Sequence, residues 1–199
     1  RRQRQMCIRD RIDKGALFAW IFTYMPVGKD SPTDLMPTPE QREKLYLFND
    51  KMRQTKPLFT LDFQHDGEYV GGCIAGGRRY LHINAAGDVE PCVFIHYSNA
   101  NIHDSTLLDC LRSPIFMEYY HEQPFNDNYM RPCPMLENPE CLEYMVAESG
   151  AHSTDLQSPE SAEHLCGKCA EYAKNWQETA EKLWDGHPHH QANYSNYRR

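Results

Sequence analysis

Residues 71–94, GGCIAGGRRYLHINAAGDVEPCVF, carry the pattern from which the rest of the chain is understood. Tyr80 to Asn84 alternates apolar and polar side chains, the period of a half-buried strand. Ala86-Gly87-Asp88 supplies a turn, and Val89 to Tyr97 returns as the partner strand, so the stretch predicts a β-hairpin. Cys73 precedes the hairpin and Cys92 lies on its second strand. The two ends of a hairpin lie side by side, and an iron–sulfur cluster needs thiolates that converge from separate backbone segments. The four glycines between Gly71 and Gly77 permit positive φ, which lets backbone N–H groups point at sulfur. Pro91 removes a ladder donor and predicts an edge or bulge at Cys92.

The chain has eight cysteines in 199 residues, more than packing alone requires. Nothing in it resembles a secretory signal, so the expectation is a cytoplasmic protein whose clustered cysteines bind metal rather than form disulfides. A net charge of −7 argues against a nucleic-acid partner. No run of about 18 apolar residues exists to span a membrane.

Upstream of the hairpin, Leu17 to Met25 (LFAWIFTYM) is an apolar run of strand length closed by Pro26-Val27-Gly28, predicted as a strand buried on both faces. Thr38 caps a helix with Pro39 at its first position, expected to run to about Gln54. Leu58 to Phe63 is a second strand, completing a βαβ-like unit. Downstream, Leu107 to Tyr120 is an amphipathic helix broken at Ser113-Pro114. Pro124 to Pro139 is a loop carrying Cys133, and Pro139 to Glu148 and Ala162 to Trp184 are helices.

The string from Cys73 through Gly87 to Cys92 resembles the opening of the SPASM auxiliary cluster module of radical SAM proteins, or its shorter twitch form. That module begins with a Cys, nine to fifteen residues, a Gly, four residues and a Cys. The wording Asn84-x-x-Gly87-Asp88-Val89-x-Pro91-Cys92 and the helix holding Ser113-Pro114-Ile115-Phe116 are similar to it as well. The resemblance implies an α/β fold turning α+β toward the C-terminus: a late piece of a partial TIM-like barrel, then a β-hairpin with helices around one 4Fe-4S cluster. The implied division is a non-native leader over residues 1–11, a barrel piece over 12–66, the cluster domain over 67–148, a helical segment over 149–184 and a disordered tail over 185–199. Residues 1–11 (RRQRQMCIRDR) are similar to translated adapter read-through, with the natural chain then extending further upstream.

By resemblance Cys73, Cys92 and Cys133 are cluster ligands, with Cys141 as the fourth or, in its place, an open iron site, Cys110, Cys166 or Cys169. A full SPASM module continues with Cys-x2-Cys-x5-Cys-x3-Cys and a further Cys; this chain has Cys133-x7-Cys141 and Cys166-x2-Cys169, which suits one cluster. Tyr24, Met25 and Pro26 end a barrel strand and are expected at an S-adenosylmethionine pocket or in packing. The parent enzyme would cleave S-adenosylmethionine reductively at a second 4Fe-4S cluster and abstract hydrogen from a peptide or small-molecule substrate. A ferredoxin or flavodoxin would be the reductant. The Cys-x3-Cys-x2-Cys loop for that chemistry does not occur in these residues, so the chain alone is expected to be inactive.

His82, His96 and His103 near the hairpin are either ligands, proton donors or ordinary strand histidines. Arg78 and Arg79 either hold a carboxylate, screen cluster charge or sit in solvent. His187, His189 and His190 belong to a polar tail that also has metal-binding composition. The rival reading from another class is a non-catalytic zinc-binding interaction module, for which only Cys166-x2-Cys169 has the usual close-pair spacing.

Overall fold

The computed structural model describes residues 10–185. Residues 10–13 are helical and end at Gly15, whose φ of 83° suits a helix stop. Residues 1–9 of the expected leader, and the tail histidines, lie outside the described residues.

Strand β1 (Phe18–Ile21) pairs in parallel with β2 (Phe59–Asp62), in register from Phe18 opposite Phe59 to Ile21 opposite Asp62. Helix α1 (Pro39–Thr55) makes the crossover between them. It begins with a full capping box, in which the Thr38 side chain accepts from the Gln41 N–H and the Gln41 side chain accepts from the Thr38 N–H. The expected βαβ unit is present, but no barrel closes among the described residues. The expectation that β1 is buried on both faces is corrected: Leu17 is 79% exposed, Phe18 60%, Trp20 56% and Phe59 61%. Two strands alone have no second layer to cover their apolar face.

After the one-turn helix α2 (Gly67–Val70), β3 (His82–Ile83) and β4 (Val89–Glu90) form the hairpin, with His82 opposite Glu90. The return strand is shorter than the run Val89 to Tyr97. A tight turn joins Cys92 and Ile95, and β5 (Tyr97–Ser98) pairs instead with β6 (His152–Ser153), antiparallel. The expected break at Ser113-Pro114 separates α3 (Leu107–Cys110) from α4 (Pro114–Glu122). Helices α5 (Pro139–Ser149) and α6 (Ala162–Asp185) follow.

The main core lies between the hairpin and α4, α5 and α6, with Val89, Ile115, Tyr119, Leu136, Leu142 and Leu165 buried in it. Along α6 the buried positions Leu165, Cys169, Ala173, Trp176 and Ala180 recur every three or four residues, which is one helical face. A smaller cluster of Tyr46, Met130, Trp176 and Ala180 fastens α1 to α6, so the βαβ unit is seated on the C-terminal helix.

Candidate metal centre

Three segments meet at one cavity of ≈ 460 Å³: the glycine-rich turn with Cys73, the end of the hairpin with Cys92, and the 124–138 loop with Cys133. Each sulfur has donors aimed at it. The Ala75 N–H donates to Cys73 Sγ at 3.5 Å, and the Met135 and Leu136 N–H groups donate to Cys133 Sγ at 3.4 and 3.5 Å. The Tyr80 hydroxyl donates to Cys92 Sγ at 2.7 Å and accepts from the Val93 N–H at 3.1 Å. Such donors lower the electron density on sulfur and are among the levers that tune a thiolate-bound cluster.

Burial pushes the Cys73 thiol up to about 12, and the charge of Cys92 adds to it. Burial likewise raises Cys92, against the hydrogen bond from Tyr80, and carries Cys133 well above its ordinary value with Glu137 adding to the effect. Without a cation these thiols keep their protons at neutral pH, and a soft metal group would displace them on binding.

The donor set fits an iron–sulfur group: soft thiols, inward N–H groups and a largely apolar wall that includes Met25, Phe63 and Phe94. The Tyr119 hydroxyl fits it too. Tyr119 is wholly buried, its hydroxyl has no hydrogen-bond partner among the described residues, and Cys73, Cys92 and Cys133 act on it electrostatically. An orphaned buried donor within electrostatic reach of three cysteines would be satisfied by sulfide or thiolate acceptors.

Gly76 makes this arrangement sterically open. Its φ is +68°, and a Cβ there would lie 2.4–2.7 Å from the ring and Cβ of Tyr119. Gly76→Ala is therefore expected to cost about 1–3 kcal/mol through backbone strain, with further loss from overpacking. Urea unfolding of the variant measures it, and an unchanged midpoint would show that the turn relaxes freely.

The other cysteines lie elsewhere. Cys141, in the first turn of α5, is half-buried and its thiol is raised to about 11 by burial and then by Glu140 and Glu122; it does not line the cavity. Cys110 is fully buried in α3 within the main core. Cys166 and Cys169 are buried on α6, each pushed to about 12 by burial.

Arg78 donates to the carbonyl oxygens of Cys73 (2.9 Å) and Val70 (2.6 Å), bracing the cysteine turn, while Arg79 is exposed. Met25 lines the cavity; the Pro26 carbonyl accepts from Lys168 Nζ at 2.7 Å, and Tyr24 is half-buried. His103 packs under the hairpin turn, 2.6 Å from where a Cβ on Gly87 would be. His82 and His96 instead converge on Glu90. Burial pushes the Glu90 carboxyl up, but hydrogen bonds from His96, Thr154 and His82 outweigh it and hold the group below its usual range.

Tyr80, Tyr119, Glu90 and Glu137 are site residues that sequence reasoning missed. Tyr80 and Glu90 each lie on the hairpin close to a cysteine, which is the one signal the sequence offers for them. Glu137 lies four residues after Cys133, and its Oε2 accepts from the Cys133 N–H at 2.8 Å.

Residues 73–141 match the family model of SPASM, an iron–sulfur cluster-binding domain. No curated protein and no solved structure matches the chain. No helix among the described residues is long and apolar enough to cross a membrane.

Proposed function

Taking residues 73–141 as a SPASM-type iron–sulfur cluster-binding domain, we propose that the chain holds one 4Fe-4S cluster on Cys73, Cys92 and Cys133 and serves a radical SAM enzyme as its auxiliary-cluster part. The observation that carries this reading is the meeting of those three residues at one cavity, with backbone or hydroxyl donors on each sulfur. The fourth ligand is Cys141 or, in its place, an open iron site; none of Cys141, Cys110, Cys166 and Cys169 lines the cavity, and the last three lie buried on α3 and α6. When bound, the cluster supplies electron relay, a Lewis-acidic iron for substrate, or a brace for the fold. The protein's own part is to keep the thiols in place and away from water, through Arg78, Tyr80 and Glu137.

The exposed apolar face of β1 and β2 supports a barrel neighbour, since soluble proteins rarely leave a contiguous aromatic patch uncovered. In this reading further βα units cover Phe18, Trp20 and Phe59 and bring the Cys-x3-Cys-x2-Cys loop and its S-adenosylmethionine. Tyr24, Met25 and Pro26 then face that cofactor. The reductant is a ferredoxin- or flavodoxin-type protein, and the substrate a peptide or small molecule.

Anaerobic reconstitution with iron and sulfide tests the cluster directly. A brown protein with about four iron and four sulfide per chain is expected, as thiolate-held 4Fe-4S clusters require. A colourless protein retaining one zinc on sulfur would instead establish the zinc-binding module. The reconstituted 199-residue chain with reductant and S-adenosylmethionine is expected to release no 5′-deoxyadenosine, because it lacks the three-cysteine loop.

A further inference from the structure

The hairpin carries a second set of ligand-type side chains, none of which lines the thiol cavity. His82 Nδ1 lies 2.8 Å from Glu90 Oε2, and His96 Nδ1 lies 2.9 Å from the same oxygen. The three ligand atoms all fall within 4.8 Å of one another. Glu90 is completely buried, while the two histidine side chains are 31% and 23% exposed. The other carboxylate oxygen is held by the Thr154 hydroxyl at 2.6 Å and the Asn84 amide at 3.2 Å.

We propose that His82, Glu90 and His96 bind one divalent transition-metal ion at a site distinct from the three-thiol cavity. Two imidazoles and one carboxylate are a ligand set suited to zinc or ferrous iron, and the absence of sulfur separates it from the cluster's chemistry. Thr154 and Asn84 orient the carboxylate from behind, the arrangement that metal-binding carboxylates usually have. The histidines' partial exposure leaves room for water to complete the coordination. Metal–ligand bonds of about 2.0–2.2 Å need the imidazoles to move outward by a few tenths of an ångström, which half-exposed side chains can do. A buried carboxylate also needs a compensating charge, and a divalent ion provides it as the imidazoles ligate in their neutral form, any extra proton leaving to solvent.

The site joins two parts of the fold. His82 and Glu90 belong to the hairpin, His96 follows it, and Thr154 comes from the segment just after β6. A bound ion would therefore pin the segment of His96, just before β5, to the hairpin that carries Cys92, while Thr154 already ties the segment after β6 to Glu90.

The test titrates zinc into the full chain after anaerobic cluster loading and removal of loose metal, comparing wild type with His82→Asn/His96→Asn at equal iron content. Wild type is expected to hold one zinc more than the double variant and to bind it about 100-fold more tightly, the share of one or two ligands in a typical zinc affinity. X-ray absorption at the zinc edge should show nitrogen and oxygen neighbours without sulfur. Thr154→Val, which only frees the carboxylate, is expected to weaken binding about 10-fold. Equal zinc in wild type and variant, or sulfur bound to the zinc, overturns the proposal; so does the lack of zinc uptake by wild type, which leaves a hydrogen-bonded His–Glu–His strut. If the double variant does not fold, His82→Ala at the more exposed position gives the same comparison. The cluster reading stands or falls on iron and sulfide content alone, so the two outcomes are read separately.

Discussion

Cys92→Ala is expected to take the iron content of the anaerobically reconstituted chain from about four atoms to less than one, with loss of the visible absorbance that a thiolate-held cluster gives. Cys92 is the most deeply buried of the three proposed ligands: it is 9% exposed, and its sulfur accepts from the Tyr80 hydroxyl, which is itself held by the Val93 N–H. Cys73→Ala and Cys133→Ala should act in the same way, since both residues line the same cavity. Cys110→Ala serves as the control, because that side chain is buried in α3 away from the cavity and should alter stability without altering iron. Cys141→Ala separates the remaining assignments: a loss equal to that of Cys92→Ala makes it the fourth ligand, and full retention of iron makes that position open or assigns it to another residue. Full iron content in the Cys92, Cys73 and Cys133 variants would end the cluster reading.

Arg42→Met is expected to destabilise the fold by about 3–5 kcal/mol, the usual result of stranding one member of a buried ion pair. Arg42 and Glu137 are both completely buried, with Nη2 2.9 Å from Oε1. The guanidinium also lies 4.0 Å from the centre of the Trp176 ring, and its Nε donates to His65 Nε2 at 3.2 Å. His65 in turn contacts Asp62 at 2.9 Å, so a continuous polar chain runs from β2 through α1 to the loop of Cys133. Without Arg42, Glu137 is left charged and unpaired in the interior, or protonated with a weaker grip on the Cys133 N–H. The double variant Arg42→Met/Glu137→Gln should recover much of the loss, because the Gln carbonyl still accepts from that N–H and no charge is stranded. Urea unfolding of the two singles and the double measures the interaction. Simple additivity would mean that the pair is not what joins the βαβ unit to the cluster module.

What the sequence could reveal was set by near neighbours. The capping box at Thr38, the break at Ser113-Pro114 and the hairpin turn at Gly87 depend on backbone preferences within four residues, and the structure has all three. The match of residues 73–141 to the SPASM model rests on the same local wording around Cys73 and Cys92. β1 is exposed although its run is apolar, because an apolar run specifies a preference for cover and not the presence of a covering layer.

The sequence by itself determined where the helices lie and where the hairpin turns, and that a glycine-rich turn with a cysteine precedes a second cysteine across that hairpin. The tertiary structure brings Cys133, expected there by resemblance and not by spacing, to the same cavity, and it alone decided that Glu90 collects two histidines, that β5 pairs with β6 some fifty residues on, and that Arg42 reaches Glu137 from α1. Turns and caps are decided by torsion angles and by hydrogen bonds a few residues long. Convergence of distant side chains depends on how whole elements pack, and no local spacing encodes it.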